Sequence, residues 1–202
     1  MALVVSADRL KETLPGYSPE KSEQFHTESA KLADKQFYTA LKENELESVV
    51  LMNGGTASGK TEFLATQLVN KPYIILDATL SSEEGAKIKL RSIVKAKKRP
   101  LVYSVIPDDL GRAFIAFLHR DRKFSPDHFY RTHSDSRRVL LWIIKNFPQI
   151  EVHIVESSYT KDQNLLFTGL VFDSQQELRK HVESIQLSET DIIQITNAEL
   201  GK

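Results

Sequence analysis

The residues whose types and spacing point most directly to chemistry are Gly54, Gly55, Thr56, Ala57, Ser58, Gly59, Lys60 and Thr61. They fit the Walker A pattern G-x-x-x-x-G-K-[ST], a loop that cradles phosphates with backbone N–H groups. Glycine at 54, 55 and 59 lets the chain turn tightly and aim its amides inward. A helix starting near Lys60 adds the positive end of its dipole. In such a loop the lysine reaches the β- and γ-phosphates and the Thr61 hydroxyl ligates Mg²⁺. The bland alternative, a chance glycine-rich turn, is weakened by the strand pattern before the loop and the helix pattern after it. The expectation is a nucleoside triphosphate with Mg²⁺, bound by residues 54–61.

A phosphate loop does not name a reaction, because GTPases, ATPase motors and small-molecule kinases share it. The chain has no NKxD guanine signature and no apolar strand ending in Asp-Glu. It is short, and its middle is rich in arginine, which favours a kinase of the nucleoside-kinase type. Asp77 closes the run YIILD and would stand beside the loop at the carboxyl edge of a parallel sheet, as an organiser of Mg²⁺. The competing reading is a cap for the turn DATLSSEE. Asp8 follows the apolar run ALVVS and is either a general base for an acceptor hydroxyl or the N-cap of ADRLKE. Spacing alone favours the cap.

Residues 112–138 carry Arg112, Arg120, Arg122, Lys123, Arg131, Arg137 and Arg138. Phosphoryl transfer spreads charge over the moving oxygens, and arginines of a closing lid offset it. Arg120, Arg122 and Lys123 sit at a break between two helices and are better placed for this than Arg137 or Arg138. The other arginines read as a solvated face pairing with Asp108, Asp109, Asp121, Asp127 and Asp135. The six histidines show no metal-ligand spacing and read as surface or core residues. Phe114, Phe117, Leu118, Leu140, Leu141, Trp142 and Ile144 fit core stripes of helices.

The elements that must position these groups alternate between strand and helix, the pattern of an α/β fold. Strands are expected at 2–6, 48–52, 73–76, 101–106 and 151–157. Helices are expected at 22–43, 60–69, 83–97, 108–119 and 126–146. A further strand at 165–172 and a helix at 174–185 follow, and 189–200 is ambiguous. The expected fold is a P-loop, nucleoside-kinase-like domain over residues 1–159. It has a mainly parallel five-stranded sheet flanked by helices, and residues 160–202 form a small C-terminal extension packed on it.

The 202 residues include 27 Lys plus Arg against 27 Asp plus Glu, so the net charge is zero. That balance speaks against a nucleic-acid or anionic-membrane partner. With no cysteine, disulfides, thiolate metal sites and a cysteine nucleophile are excluded. No apolar run approaches the ~18 residues of a membrane helix. The opening MALVVSADRL lacks the basic start and long apolar stretch of a signal peptide, so a cytoplasmic protein is expected.

Several segments together resemble the zeta-toxin family of P-loop kinases. MNGGTASGKTEFL is similar to the family phosphate loop, and IILDATL to its strand ending in a D/E-G-T turn. SADRLKETLPGY resembles the stretch D-x-D-x-x-[RK] followed by Pro and an aromatic, and FHTESAKLADKQFYTAL the helix after it. VIPDDLGRAFIAFLHRDRKFSPDHF resembles the lid. The resemblance implies ATP-dependent phosphorylation of a sugar-nucleotide hydroxyl, with UDP-N-acetylglucosamine as substrate and an antitoxin protein as partner. It implies that Asp8 is the base and that Lys11, Glu28 and Arg112 contact substrate. Arg120 and Arg122 would act on the phosphoryl group with Lys60. Asp77 would join Thr61 at the metal. The family's first Asp is Ser6 here, and the Asp strand precedes the phosphate loop instead of following it, a permuted order. Kinases of a nucleoside or an antibiotic, and a nucleotide-binding regulator with little chemistry, remain as alternatives. A nucleic-acid end kinase is weaker, given the neutral charge.

Overall fold

The computed structural model describes residues 1–160 and 164–201. Residues 161–163 and 202 of the expected extension lie outside the described residues. Six strands form one sheet: β1 (Leu3–Ser6), β2 (Ser48–Asn53), β3 (Tyr73–Asp77), β4 (Arg99–Pro107), β5 (Glu151–Tyr159) and β6 (Leu165–Leu170). Their order is β1-β3-β2-β4-β5-β6. The first five run parallel and β6 pairs antiparallel with β5. The sheet thus has one strand more than the five expected. Residues 165–170 reach it because Leu165 to Leu170 lie alongside Tyr159 to Ile154 in a return strand, so part of the extension completes the sheet.

The helices are α1 (Ala7–Lys11), α2 (His26–Glu43), α3 (Lys60–Phe63, continued by a π-helical turn Leu64–Leu68), α4 (Glu83–Lys95), α5 (Leu110–Leu118), α6 (Pro126–Asn146), α7 (Gln175–Ser184) and α8 (Glu189–Glu199). The ambiguous 189–200 stretch is therefore helical. Ser188 and Asp191 form a reciprocal capping box at its start. Among the described residues no helix is long and apolar enough to cross a membrane.

The alternation within β2 shows why the sheet sits where it does. Val49 and Leu51 face one core, with Phe37 of α2, Leu90 and Ile93 of α4, and Leu140 and Ile143 of α6. Val50 and Met52 face the other, with Phe63, Leu64 and Leu68. A strand buried on both faces reads as a continuous apolar run, and Val49 to Met52 are one. Helix α8 packs Ile192 against Leu110, Phe114 and Phe117 of α5 and Phe129 of α6. The carboxyl ends of β1, β2 and β3 consequently lie side by side, with Ser6 opposite Asp77 in register. In an open α/β sheet this is the edge where ligands bind.

Candidate functional site

At the end of β2, Asn53 is buried and fully used. Its Nδ2 donates to the carbonyls of Thr79 (3.3 Å) and Ser136 (3.2 Å), and its Oδ1 accepts from Ser104 Oγ at 2.7 Å. The chain leaves this anchored strand through Gly54, whose φ of 136° puts it in the left-handed half of the map. A Cβ at Gly54 would sit 2.3 Å from the Val105 carbonyl oxygen, so the position requires glycine. Ala57 also takes a positive φ, 60°, at a cost of about 1 kcal/mol.

The surroundings hold that strained loop from outside. His133 Nε2 lies 2.8 Å from the Thr56 carbonyl oxygen, Tyr159 Oη donates to the Ala57 carbonyl at 2.8 Å, and Ser157 Oγ donates to the Ser58 carbonyl at 2.8 Å. Thr132 Oγ1 accepts the Thr56 N–H at 3.1 Å. In a planar trans peptide the C=O and the next N–H point in opposite directions. Holding the carbonyls of Thr56 and Ser58 outward therefore aims the Ala57 and Gly59 amides the other way. Those amides, and the first-turn N–H groups of α3 that lack intrahelical partners, make an arrangement suited to an anion.

Lys60 is buried and donates to the carbonyls of Gly54 (2.9 Å) and Gly55 (2.8 Å). Burial lowers its pKa to about 8, against the nearby Asp77 carboxylate that favours the charged form. Asp77 Oδ2 accepts from Thr61 Oγ1 at 3.4 Å and from Ser6 Oγ at 3.3 Å. It does not cap the following turn; Ser82 caps α4 by accepting the Gly85 N–H. Burial keeps the Asp77 carboxyl above its ordinary pKa despite Lys60. Two hydroxyls and one carboxylate of raised pKa fit a hard cation that takes its remaining ligands from phosphate oxygens and water. Among the described residues no group of three His, Asp or Glu side chains forms a separate metal cage.

Asp8 is in the first turn of α1 without serving as its N-cap; that position is Ser6, whose side chain makes no capping bond. The Asp8 carboxylate meets Lys11 Nζ at 3.2 Å and Arg122 Nη1 at 2.6 Å. Burial raises its pKa, but Arg122 and Lys11 together outweigh burial and hold it below the usual carboxylate value. Lys11 is completely buried, and its ammonium lies 4.8 Å from the Phe124 ring centroid. Phe124 stacks on His128 at 4.4 Å, and His26 meets both rings edge-on. Burial depresses the pKa of His128 to about 4, so it is neutral at pH 7. Arg120 is partly buried beside Arg122, and both factors lower its pKa.

A cavity of about 670 Å³ brings much of this together. It is lined by Thr56 to Glu62, Asp77, Asp8, Arg120, Arg122 and Tyr159. Not every residue singled out from the sequence reaches it. Gly54 and Gly55 lie behind the lining, where they shape the loop. Lys11 is beneath Asp8. Glu28 is on the exposed side of α2, away from the cavity. Arg112 is turned toward Asp109 (3.4 Å) and the Tyr159 carbonyl (3.0 Å). Lys123 donates to the Arg120 carbonyl at 2.7 Å, and Arg138 pairs with Glu83 and Asp135 on the surface.

Sequence reasoning missed Thr132, His133, Ser157 and Tyr159. Their partners in the loop are 76 to 102 residues distant. One signal was present: Thr132, His133, Ser136 and Arg137 share the buried stripe of α6 with Phe129, Leu140 and Ile144. Polar residues on an apolar stripe are buried polar groups that need partners.

No protein-family model matches the chain, and no curated protein matches it. Its fold is similar to solved structures of AvrRxo1 complexes. The AvrRxo1-ORF1:AvrRxo1-ORF2 complex with sulphate ions aligns at TM-score 0.51 and 11% identity, over 79% of this chain and 71% of that one. The native AvrRxo1-ORF1:ORF2 complex aligns at 0.51 and 14% identity, over 96% and 83%. The same pair with ATP aligns at 0.48 and 12% identity, over 79% and 71%. At these identities the likeness is one of fold.

Proposed function

We propose that this chain is an ATP-dependent phosphotransferase that passes the γ-phosphoryl group to a hydroxyl of a small molecule. The acceptor is a sugar nucleotide or similar metabolite, as in the zeta-toxin kinases that its motifs resemble. One observation carries the reading: Asp8, Asp77, Arg120 and Arg122 line the same cavity as residues 56–61. A loop that only bound nucleotide and Mg²⁺ would have a use for Asp77 but not for Asp8, Arg120 and Arg122 beside it.

In this reading the amides of Ala57, Gly59 and the first turn of α3, with Lys60, would hold the triphosphate, while Thr61 and Asp77 would hold a Mg²⁺ ion that supplies charge neutralisation. The acceptor oxygen forms a bond to the γ-phosphorus as the bond to the bridging oxygen of ADP breaks. The hydroxyl proton passes to Asp8, and ADP leaves with the bridging oxygen. Arg120 and Arg122 offset charge on the transferred oxygens. A carboxylate of lowered pKa suits this step, since a loose transition state asks little of its base until bonding to phosphorus is advanced. Ser6, at the position of the family's first Asp, keeps an oxygen against Asp77. The reading includes a protein partner of the antitoxin kind, supported by the two-chain assemblies among structures of similar fold.

A second reading, a nucleotide-binding regulator, draws on the engagement of Asp8 by two cations. Incubation with ATP, Mg²⁺ and UDP-N-acetylglucosamine, then with nucleosides, aminoglycoside-type alcohols and a metabolite extract, separates the two by mass detection. The kinase reading predicts a product heavier by one phosphoryl group, absent with Lys60→Ala. ATP binding with no product from any acceptor would favour the regulator.

A further inference from the structure

Behind the phosphate loop, on the side away from the cavity, α6 buries a cation that the proposed chemistry does not use. Arg137 is 4% exposed. Its Nη1 donates to the His133 carbonyl at 3.0 Å and lies 3.2 Å from His133 Nδ1. Its Nε is buried with no hydrogen-bond partner among the described residues, and no carboxylate among them answers its charge. Burial lowers its pKa to about 10, so it remains a cation at neutral pH.

His133 connects this cation to the loop. A carbonyl can only accept, so the contact with the Thr56 oxygen fixes the proton on Nε2 and leaves Nδ1 as the acceptor for Arg137. Burial holds the imidazole neutral, with its pKa well below the ordinary value. The ring is also in contact with the loop itself, because a Cβ on Gly55 would meet its Cγ at 2.3 Å. Guanidinium, imidazole and the Thr56 carbonyl therefore form one chain of hydrogen bonds, ending at the peptide unit that aims the Ala57 amide. A cation at its far end polarises each link toward a stronger donor at the loop.

An unpaired buried cation is costly, and its neutral replacement is often stabilising. We propose that Arg137 is a positioning residue of the triphosphate site, a buried cation that acts through His133 on the loop and whose charge is answered when a polyphosphate anion occupies the cavity. This rests on the reading of residues 54–61 as a triphosphate site, but not on which acceptor is phosphorylated or whether transfer occurs.

The test measures binding of ATP and of inorganic tripolyphosphate, with melting temperature in the absence of ligand, for wild type, Arg137→Gln, Arg137→Met and Arg137→Lys. Arg137→Gln keeps a donor for His133 Nδ1 without the charge. It should bind both anions roughly tenfold more weakly, the size of a charge effect at an effective dielectric of about 20. Its unliganded melting temperature should be equal to or above that of wild type. Arg137→Met should behave likewise, while Arg137→Lys should bind within about threefold of wild type. A purely structural arginine would lower melting temperature and affinity together in all three. That pattern overturns the proposal, as do neutral variants that bind like wild type or fail to fold. If wild type itself binds neither anion, the triphosphate reading falls and this inference with it. If wild type binds and no product forms, only the transfer reading falls.

Discussion

The two walls of the cavity are held by different forces. The loop wall is held by neutral hydrogen bonds to backbone carbonyls, buried from His133 and Ser157 and half-buried from Tyr159. The opposite wall is held by charge: Asp8 between Lys11 and Arg122, with Arg120 beside them. Neutral bonds of fixed direction preorganise the loop backbone, and Lys60 leaves the Gly54 and Gly55 carbonyls if it is to meet a phosphate. Ion pairs are less directional and are screened where exposed. The Asp8–Arg122 pair can therefore yield when a substrate oxygen or a transferring phosphoryl group competes for either member. In the proposed reading the loop wall serves the nucleotide and the charged wall the reacting centre.

This contrast can be broken at named positions. The largest effect is expected from Gly55→Ala. Its methyl group would enter the His133 ring, and either the ring or the loop must move. Overpacking of this kind costs roughly 1–3 kcal/mol, and triphosphate affinity should fall below detection in the same titration that measures wild type. Next, Asp8→Asn leaves the Lys11 ammonium buried without its counter-charge, and chemical denaturation should report a loss of about 1–3 kcal/mol. Adding Lys11→Met should restore most of it. A double variant no more stable than Asp8→Asn would remove charge pairing as the force that holds this wall.

The pH dependence of binding sharpens the contrast further. The pKa of Lys60 without ligand is about 8, and bound phosphates favour its charged form. Below that value ATP affinity should be flat. Above it, binding must take up a proton, so the Kd should rise toward tenfold per pH unit. Calorimetry in buffers of different ionisation enthalpy at pH 7 and 9 would detect proton uptake at the higher pH only. The smallest effect is expected from Tyr159→Phe, which removes one of three carbonyl restraints at about 1 kcal/mol. It should weaken ATP binding a few-fold and leave the Asp8 wall unchanged.

The same division governs what was legible in the sequence. The loop is a local pattern of eight residues, and its glycines state the backbone conformation that they serve. Asp8 and Asp77 were legible as carboxylates after apolar runs. Their competing roles as caps could be decided only once the register of β1 on β3 put Ser6 beside Asp77. The supports of the loop were not legible, since each arrives from α6 or β5 by tertiary packing. Arg112 shows the reverse failure. It belongs to the arginine-rich segment, but helix α5 carries it toward Asp109 and away from the cavity. Glu28 likewise falls on the solvated face of α2, whose buried stripe runs through Ser29, Ala33 and Phe37. Composition brings such residues to attention, and helical phase decides whether they reach the site. The sixth strand escaped the count because β6 is an edge strand, half-buried at three positions and exposed at the other three, instead of a continuous buried run.

The central claim is that nucleotide binding and phosphoryl transfer are divided between these two walls. The most direct test is single-turnover transfer from ATP to a working acceptor by Asp8→Asn, at ATP concentrations that saturate both it and wild type. The account predicts ATP affinity within a few-fold of wild type and a transfer rate lower by roughly 10²–10⁴. A transfer rate equal to that of wild type at saturating ATP would contradict it.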